Sequence, residues 1–497
     1  MNQGATLESL PAQHLLLRHG LPGFIGTTCI AVGALGVGSL PGTTDLLTNP
    51  IVDALRGSTQ GSLIARSLVL IGLAIVLQAW LLIGSDLLQR GAWPVRQLQW
   101  VLLMWVIPLV AAPPLFSRDV YSYYAQGRLF ESGADPTTVG VGSLPGWFDM
   151  GADPMWTESP TPYGPSFLLI ERTISSIAHP NAYLAAILLR LTSLVGVALM
   201  AIYVPKLAKA YGVNGSTALW LGVLNPLVIM HFVSGAHNDA LMVGLIVLAL
   251  YLGTCQQCLW SAAIIGLATT IKPIGLLALP FVGLQFAGVG APWLGKIKAW
   301  LLTGLAAVIT IVCVYLVVGS GYGVVQAAFG TPGSVLTWLS PTTAIGQAFG
   351  GITSAIGLTS NAYGVINVTH TIGTLLSLIG IIWLLITSDR RTALRGVALA
   401  FGVLVILGPV VHPWYLLWAL PLFAAAGLSF RERRIAVLLT IFLVVHGMIE
   451  ASTAADNVWD WTDLITFVIA LAVVGIIAFA SPHERHLILD AGSSEKQ

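Results

Sequence analysis

The sequence predicts an all-α integral membrane protein, a polytopic bundle crossing the bilayer about 13 to 14 times, with short helices on its extracytoplasmic loops. Three observations lead there. Of the 497 residues 56% are apolar and only 9% are charged, and the mean hydropathy is +0.85, a balance at odds with a water-soluble globule. Apolar runs recur along the chain, and backbone polar groups inside hydrocarbon must be satisfied within helices. The few charged residues sit in the connections, where their signs separate.

Runs near residues 21–40, 62–84, 98–115, 182–204, 216–233, 239–253, 258–271, 273–289, 299–319, 363–386, 395–411, 414–428, 434–450 and 463–480 are read as spans. Several are short and paired across a proline. Arg18 before the apolar stretch from Phe24 resembles a signal peptide, but the further spans make it an uncleaved first helix. Residues 166–178 carry Glu171 and Arg172 in mid-segment and are too short to span, so they are read as an amphipathic or re-entrant helix. With that segment kept on one face, Arg90, Arg96, Lys206, Lys209, Lys296, Lys298, Arg390, Arg391, Arg395, Arg431, Arg433 and Arg434 fall on one side. The opposite side receives the loop 116–165, His237, Asp239, His412, Glu450, Asp456, Asp460 and Asp463. The positive-inside bias then makes the protein a multi-pass component of the plasma membrane with both termini cytoplasmic.

The chain is read as one polytopic membrane domain, 1–497, with a catalytic loop at 116–181, an uncharged loop at 319–363 and a cytoplasmic tail at 481–497. The 319–363 loop has no Asp, Glu, Lys or Arg, so it is expected to fold back on the bundle rather than act as a solvated linker. No internal repeat is evident, which weakens an inverted-repeat transporter reading.

A net charge of +1 and the lack of a basic patch argue against nucleic acid as a partner. The partners expected are membrane lipids and a lipidic or small substrate. Four cysteines are too few for a disulfide framework, and the pair in CQQC, Cys255 and Cys258, has no second pair to complete a zinc site. There is no phosphate-binding glycine motif, no HExxH and no close His/Cys cluster, so neither a metal nor an organic cofactor is indicated.

Four stretches carry the candidate chemistry. In FSRDVYSYYAQGRL (116–129), Asp119 follows an apolar helix and opens a loop holding Glu131, Asp135, Asp149, Asp153 and Glu158 against Arg118 and Arg128. A carboxylate at the hydrocarbon boundary is partly desolvated, which raises its proton affinity towards that of a general base; alternatively it caps the next helix or pairs with Arg118. Tyr121, Tyr123, Tyr124, Trp147, Trp156 and Tyr163 in the same loop suit the apolar faces of sugars, or simply the membrane interface. In NPLVIMHFVSGAHNDALM, His237, Asn238 and Asp239 form an external turn that could cap a helix, while His231 lies deeper in a span. In TTIKPIGLLALP, Lys272 stands between apolar helices and wants an anion, a phosphate or carboxylate, or else Asp239 itself. In GPVVHPWYLLWALP, His412 could hydrogen-bond a phosphate or move a proton, and Trp414 and Tyr415 could hold a sugar or lipid face.

In this order SRDVYSYYAQGRL, the ADP turn (134–136), TPYGP (161–165), HND, IKP and HPWYLLW resemble the polyprenol-phosphate-dependent GT-C glycosyltransferases. The chain is most similar to the actinobacterial α-(1→6)-mannopyranosyltransferase group over residues 116–418. The resemblance implies a GT-C-like bundle and transfer of mannose from polyprenyl-phosphate mannose to a mannosylated glycolipid acceptor. The product would be the α-(1→6)-mannan backbone of lipomannan and lipoarabinomannan, made on the extracytoplasmic face with inversion. It implies Asp119 as the base and Lys272 and His412, with Arg118 or Arg128, as donor-phosphate contacts. Tyr121, Tyr123, Tyr163, His237, Asn238, Asp239, Trp414 and Tyr415 are the expected sugar or acceptor contacts. Many such enzymes carry the catalytic acid after their first span, whereas Asp119 follows the third here, so an N-terminal hairpin has been added or the early spans are miscounted. Competing readings are a transporter or flippase of a lipid-linked saccharide, expected to place ionisable groups near mid-membrane, and a non-catalytic assembly subunit.

Overall fold

The computed structural model describes residues 16–90, 93–334, 336–358, 361–453 and 468. Every regular element among them is helical. The expected span at 463–480, the tail at 481–497 and Asp456, Asp460 and Asp463 lie outside the described residues, Val468 apart.

Among the described residues five helices are long and apolar enough to cross a membrane: Leu16–Val37, Thr59–Gln89, Ala182–Ala210, Trp293–Val318 and Ala362–Thr387. Val228–Ser234 and Asp239–Thr254, bent by 110° at the HND turn, count as a sixth if taken as one broken span. The expected spans at 98–115, 258–271, 273–289, 395–411 and 414–428 are instead the shorter apolar helices Val95–Leu109, Cys258–Ile271, Pro273–Ala287, Ala393–Leu407 and Pro413–Ala426. Proline is the recurrent reason, because it lacks the N–H of the helical ladder and clashes with the preceding turn. Pro273 comes two residues after one helix ends at Ile271, with an extended Lys272 between, and Pro413 opens another after an extended His412.

The elements used below are α1 (Leu21–Val37), α2 (Thr59–Arg90), α3 (Val95–Val106), α4 (Asp119–Glu131), α5 (Pro165–Ala178), α6 (Ala182–Ala210), α7 (Asp239–Thr254), α8 (Cys258–Ile271), α9 (Leu279–Ala287), α10 (Trp293–Val318), α11 (Pro341–Ala355), α12 (Ala362–Thr387), α13 (Ala393–Leu407), α14 (Leu416–Ala426) and α15 (Phe430–Thr453). The helices α1 and α2 form an N-terminal hairpin ahead of Asp119. A Cβ on Gly26 would stand 2.8 Å from the Gly72 carbonyl oxygen, so glycine lets these two backbones touch. The helices α6 and α7 meet the same way: a Cβ on Gly196 would lie 2.1 Å from the Ala240 carbonyl oxygen, and one on Gly244 2.6 Å from that of Gly196. Small residues at such seams let helices pack where lipid supplies no hydrophobic drive.

Connections collect at two ends of the bundle. At one end Ser216 donates to the Trp93 carbonyl, Gln285 donates to the Tyr211 hydroxyl (3.1 Å), Lys296 donates to the Ser388 carbonyl (3.0 Å), and Arg395 pairs with Glu432. At the other, Tyr121 donates to the Ser39 carbonyl (2.9 Å), the Gly164 amide donates to Ile271 (3.1 Å), and Ser340 and Thr343 donate to Gly408 and Pro409 (2.8 and 2.7 Å). The basic loops belong to the first end and the candidate site residues to the second. Within the uncharged loop, α11 is thereby tied down onto the turn before His412.

Candidate functional site

Four separate chain segments, α4, the HND turn, the α8 terminus and the turn before α14, bring their polar groups into one buried cluster. Asp119 reaches it because of how α4 begins. Phe116 adopts φ +66° and turns the chain, and the Ser117 hydroxyl accepts the Asp119 amide at 3.0 Å. Ser117 therefore takes the capping task, and the Asp119 side chain neither caps the helix nor pairs with Arg118. Its Oδ1 accepts the Trp156 indole N–H at 3.1 Å, and its Oδ2 lies 3.4 Å from Nδ1 of His237.

The electrostatics of Asp119 correct the sequence expectation. Burial does push its carboxyl up, but the hydrogen bond and charge of His237 and the Trp156 indole outweigh it and hold Asp119 below the ordinary carboxylate range. It is a carboxylate at neutral pH.

Asp239 opens α7 but does not cap it either; Asn238 precedes it in helical conformation without a capping bond. Asp239 Oδ1 instead accepts Lys272 Nζ at 2.7 Å and the Trp418 indole at 2.6 Å. Of the two anions expected for Lys272, the internal one is present. The ammonium also lies over the rings of Trp418 (5.2 Å), Tyr415 (5.4 Å) and Tyr163 (5.8 Å), an aromatic cage that suits a partly desolvated cation. Its side chain keeps 14% exposure, against 1% for Asp239.

Trp414 joins the two halves. His237 stacks on one side of its environment at 3.9 Å and His412 stacks nearly parallel at 4.3 Å, with His231 tilted at 5.5 Å. Burial lowers the pKa of His412 to about 4, with Asp119 and Asp239 opposing and His237 and Lys272 adding to the shift. His412 is thus a neutral imidazole at pH 7, able to donate or accept one hydrogen bond but not to supply charge.

Several buried polar atoms here have no partner: both ring nitrogens of His231, both ends of the Asn238 amide, and Asp239 Oδ2. Buried groups of this kind ordinarily find hydrogen bonds, so their concentration at one place leaves the cluster with unused donors and acceptors.

Not every expected residue belongs. Tyr123 and Tyr163 line the site and pack edge to face at 5.3 Å, but Tyr121 is turned away, its hydroxyl on Ser39. Arg118 donates to the Gly151 carbonyl at 3.1 Å and lies over Phe148, and Arg128 is held by Glu131. Glu171 is fully buried in α5 without a hydrogen-bond partner, burial pushes its carboxyl well up, and it lies apart from the cluster.

Two contributors, Trp418 and Arg190, escaped the sequence reading of site residues, and a third, Trp156, was read there only for its ring face. Trp156 and Trp418 each donate an indole N–H to one of the two carboxylates; Trp418 falls one helical turn after Trp414, a spacing that could have signalled it. Arg190 lies in the middle of an apolar helix, where an ionisable residue is itself a signal. Its guanidinium donates to the carbonyls of Val110, Ala112, Val233 and Ser234 at 2.7–3.0 Å. These are the segments leading into Asp119 and into the HND turn. Ser193, one turn on, donates to the His237 carbonyl at 3.1 Å.

Residues 20–288 match the family described as α-(1→6)-mannopyranosyltransferase, N-terminal domain, and residues 342–480 match one described as the MptB C-terminal domain. A probable α-(1→6)-mannopyranosyltransferase of Mycolicibacterium smegmatis is 33% identical, over 94% of this chain and 89% of its own length. An α-(1→6)-mannopyranosyltransferase of Mycobacterium tuberculosis is 31% identical over 95% of this chain and 88% of its own. The α-(1→6)-mannopyranosyltransferase B of Corynebacterium glutamicum is 32% identical over 85% and 75% respectively.

Proposed function

Because the chain belongs to the α-(1→6)-mannopyranosyltransferase family, we propose that it transfers mannose from polyprenyl-phosphate mannose to an α-(1→6)-mannan on the extracytoplasmic face of the plasma membrane. The protein is a membrane mannosyltransferase, and that class requires a mannose donor and a glycolipid acceptor. The lipid-linked donor, the lipomannan and lipoarabinomannan product and the roles below are our reading. One observation carries it: an ionised, buried carboxylate, Asp119, shares a cluster with a caged lysine and with polar atoms that lack partners.

In this reading the 6-hydroxyl of the acceptor attacks the anomeric carbon in line as the bond from that carbon to the phosphate oxygen breaks. The hydroxyl proton passes to Asp119, and the polyprenyl phosphate leaves with the electron pair. A β-linked donor gives an α-linkage by inversion. Lys272 has N–H groups beyond the one given to Asp239 and stabilises the leaving phosphate; His412 adds a neutral hydrogen bond. Tyr163, Trp414 and Tyr415 supply faces for the sugar. Arg118 and Arg128, engaged elsewhere, are not assigned to the phosphate. The transporter alternative finds less support, since the ionisable site residues gather at one end of the bundle.

Purified protein in nanodiscs should convert lipid-linked mannose and a short α-(1→6)-mannoside into a product longer by one α-mannose. No turnover with that donor would remove the donor assignment. For the membrane side, a membrane-impermeant thiol reagent applied from outside should label a cysteine placed at Asp149 and not one at Arg433. The reverse pattern would overturn the orientation.

A further inference from the structure

Lys272 stands over Trp418, Tyr415 and Tyr163, a different set of rings from those around His231. His231 is fully buried in the π-helical turn Val228–Ser234, with neither ring nitrogen hydrogen-bonded. Its neighbours are rings: Phe116 at 5.9 Å, Trp414 at 5.5 Å and His237 at 6.1 Å. The helix α15 closes over this turn. A Cβ on Gly447 would meet the Met230 methyl at 2.4 Å and Phe116 at 3.9 Å, so the adjacent His446 is close by, near enough for its charge to act on His231.

From His446 the row of rings continues outward. Trp338 lies 5.2 Å from His446 and 6.4 Å from Phe442, and it is 62% exposed. It is not on a free linker: the neighbouring Thr337 hydroxyl donates to the Val411 carbonyl and accepts the Val411 amide, both at 3.0 Å. An exposed indole is thereby fixed beside the turn that carries His412 and Trp414.

We propose that Trp338, His446 and His231 form the acceptor track, along which a mannoside reaches Asp119 from the side opposite Lys272. This rests on the mannosyltransferase reading above. The chemistry fits an uncharged polyol: the imidazole of His231 offers one donor and one acceptor to hydroxyl groups, and an indole face stacks on sugar C–H bonds. A phosphate would gain no lysine on this side. The arrangement also separates the two substrates across the reacting centre, as in-line displacement requires.

The test uses the full-length protein in nanodiscs with α-(1→6)-mannotriose as probe, read by saturation-transfer NMR and by transfer kinetics. His231→Phe keeps the ring and removes its nitrogens, so the acceptor KM and the mannotriose dissociation constant should rise about tenfold, the effect of one or two lost hydrogen bonds. Trp338→Ala should raise both about two- to tenfold, the size of a lost ring contact, and Trp338→Phe should restore most of it. The donor KM should move less than about twofold, because these residues stand away from Lys272. His231→Gln serves if the phenylalanine variant does not fold. Unchanged mannotriose affinity in the His231 and Trp338 variants, or a change confined to the donor KM, would overturn the track. NMR binding needs no donor, so failure of lipid-linked mannose to react would count against the proposed function alone.

Discussion

Asp119 and Asp239 stand in matched surroundings that differ in one element. Each accepts one indole N–H, from Trp156 and Trp418 respectively, and each opens a helix that its own side chain does not cap. Asp239, however, is bound by Lys272 at 2.7 Å, whereas Asp119 has an imidazole at 3.4 Å. A carboxylate neutralised by a lysine gains little by accepting a proton. One beside a histidine retains the lone pairs to take it. In the proposed mechanism the difference favours proton transfer at the first and the holding of a cation at the second.

The sharpest way to break that division is Asp119→Asn, which keeps the size of the side chain but cannot take a proton at neutral pH. Its kcat should fall about 10²–10⁴-fold with donor KM little changed. If Asp239→Asn instead carried the whole kcat loss, the roles would be exchanged. Next in size, Lys272→Ala should lower donor kcat/KM about 10- to 100-fold, matching roughly 1.5–3 kcal/mol for a charge-assisted contact. It also strands Asp239 as a buried, unpaired charge, so its melting temperature should drop, and adding Asp239→Asn should recover stability without recovering donor use. Equal activity in wild type and the Lys272 variant would refute the phosphate contact.

His412→Gln removes only a neutral hydrogen bond, so the donor KM should rise about two- to tenfold. A hundredfold loss would mean that His412 acts as a cation after all. The smallest expected effect is on pH dependence. A base works while deprotonated, so activity present above the Asp119 pKa is lost as pH falls through it. That pKa is lowered, and His412 protonates only near pH 4. The acid limb of kcat/KM should therefore lie below about pH 5, with a flat profile up to about pH 7. A limb centred between about pH 6 and 7 would take the base role from Asp119.

Much of this was legible in the chain. Charge scarcity in an apolar background pointed to Asp119, His237, Asp239, Lys272 and His412, and the fold brings their segments together. The helical class and the sorting of basic loops to one end followed from hydropathy and loop charge. Helix lengths did not, because a hydropathy run continues through Pro273 or Pro413 while the backbone ladder does not. The sign of the Asp119 shift was also illegible: desolvation can be anticipated from sequence position, but the opposing indole and imidazole come from residues 37 and 118 positions away. The position of Arg190 inside an apolar helix was a legible signal, but its main-chain carbonyl partners leave no trace in side-chain patterns, so its role was not.

The Arg190 contacts also bear on how the protein breathes. One side chain bonds the carbonyls of Val110 and Ala112 on one segment and of Val233 and Ser234 on another, so neither segment can detach without breaking bonds at the same guanidinium. Amides flanking Asp119 and those of the HND turn should then exchange with deuterium at a common rate, as one cooperative unit. Replacing the planar fork by the ammonium of Arg190→Lys should let the two exchange apart, each at its own pace.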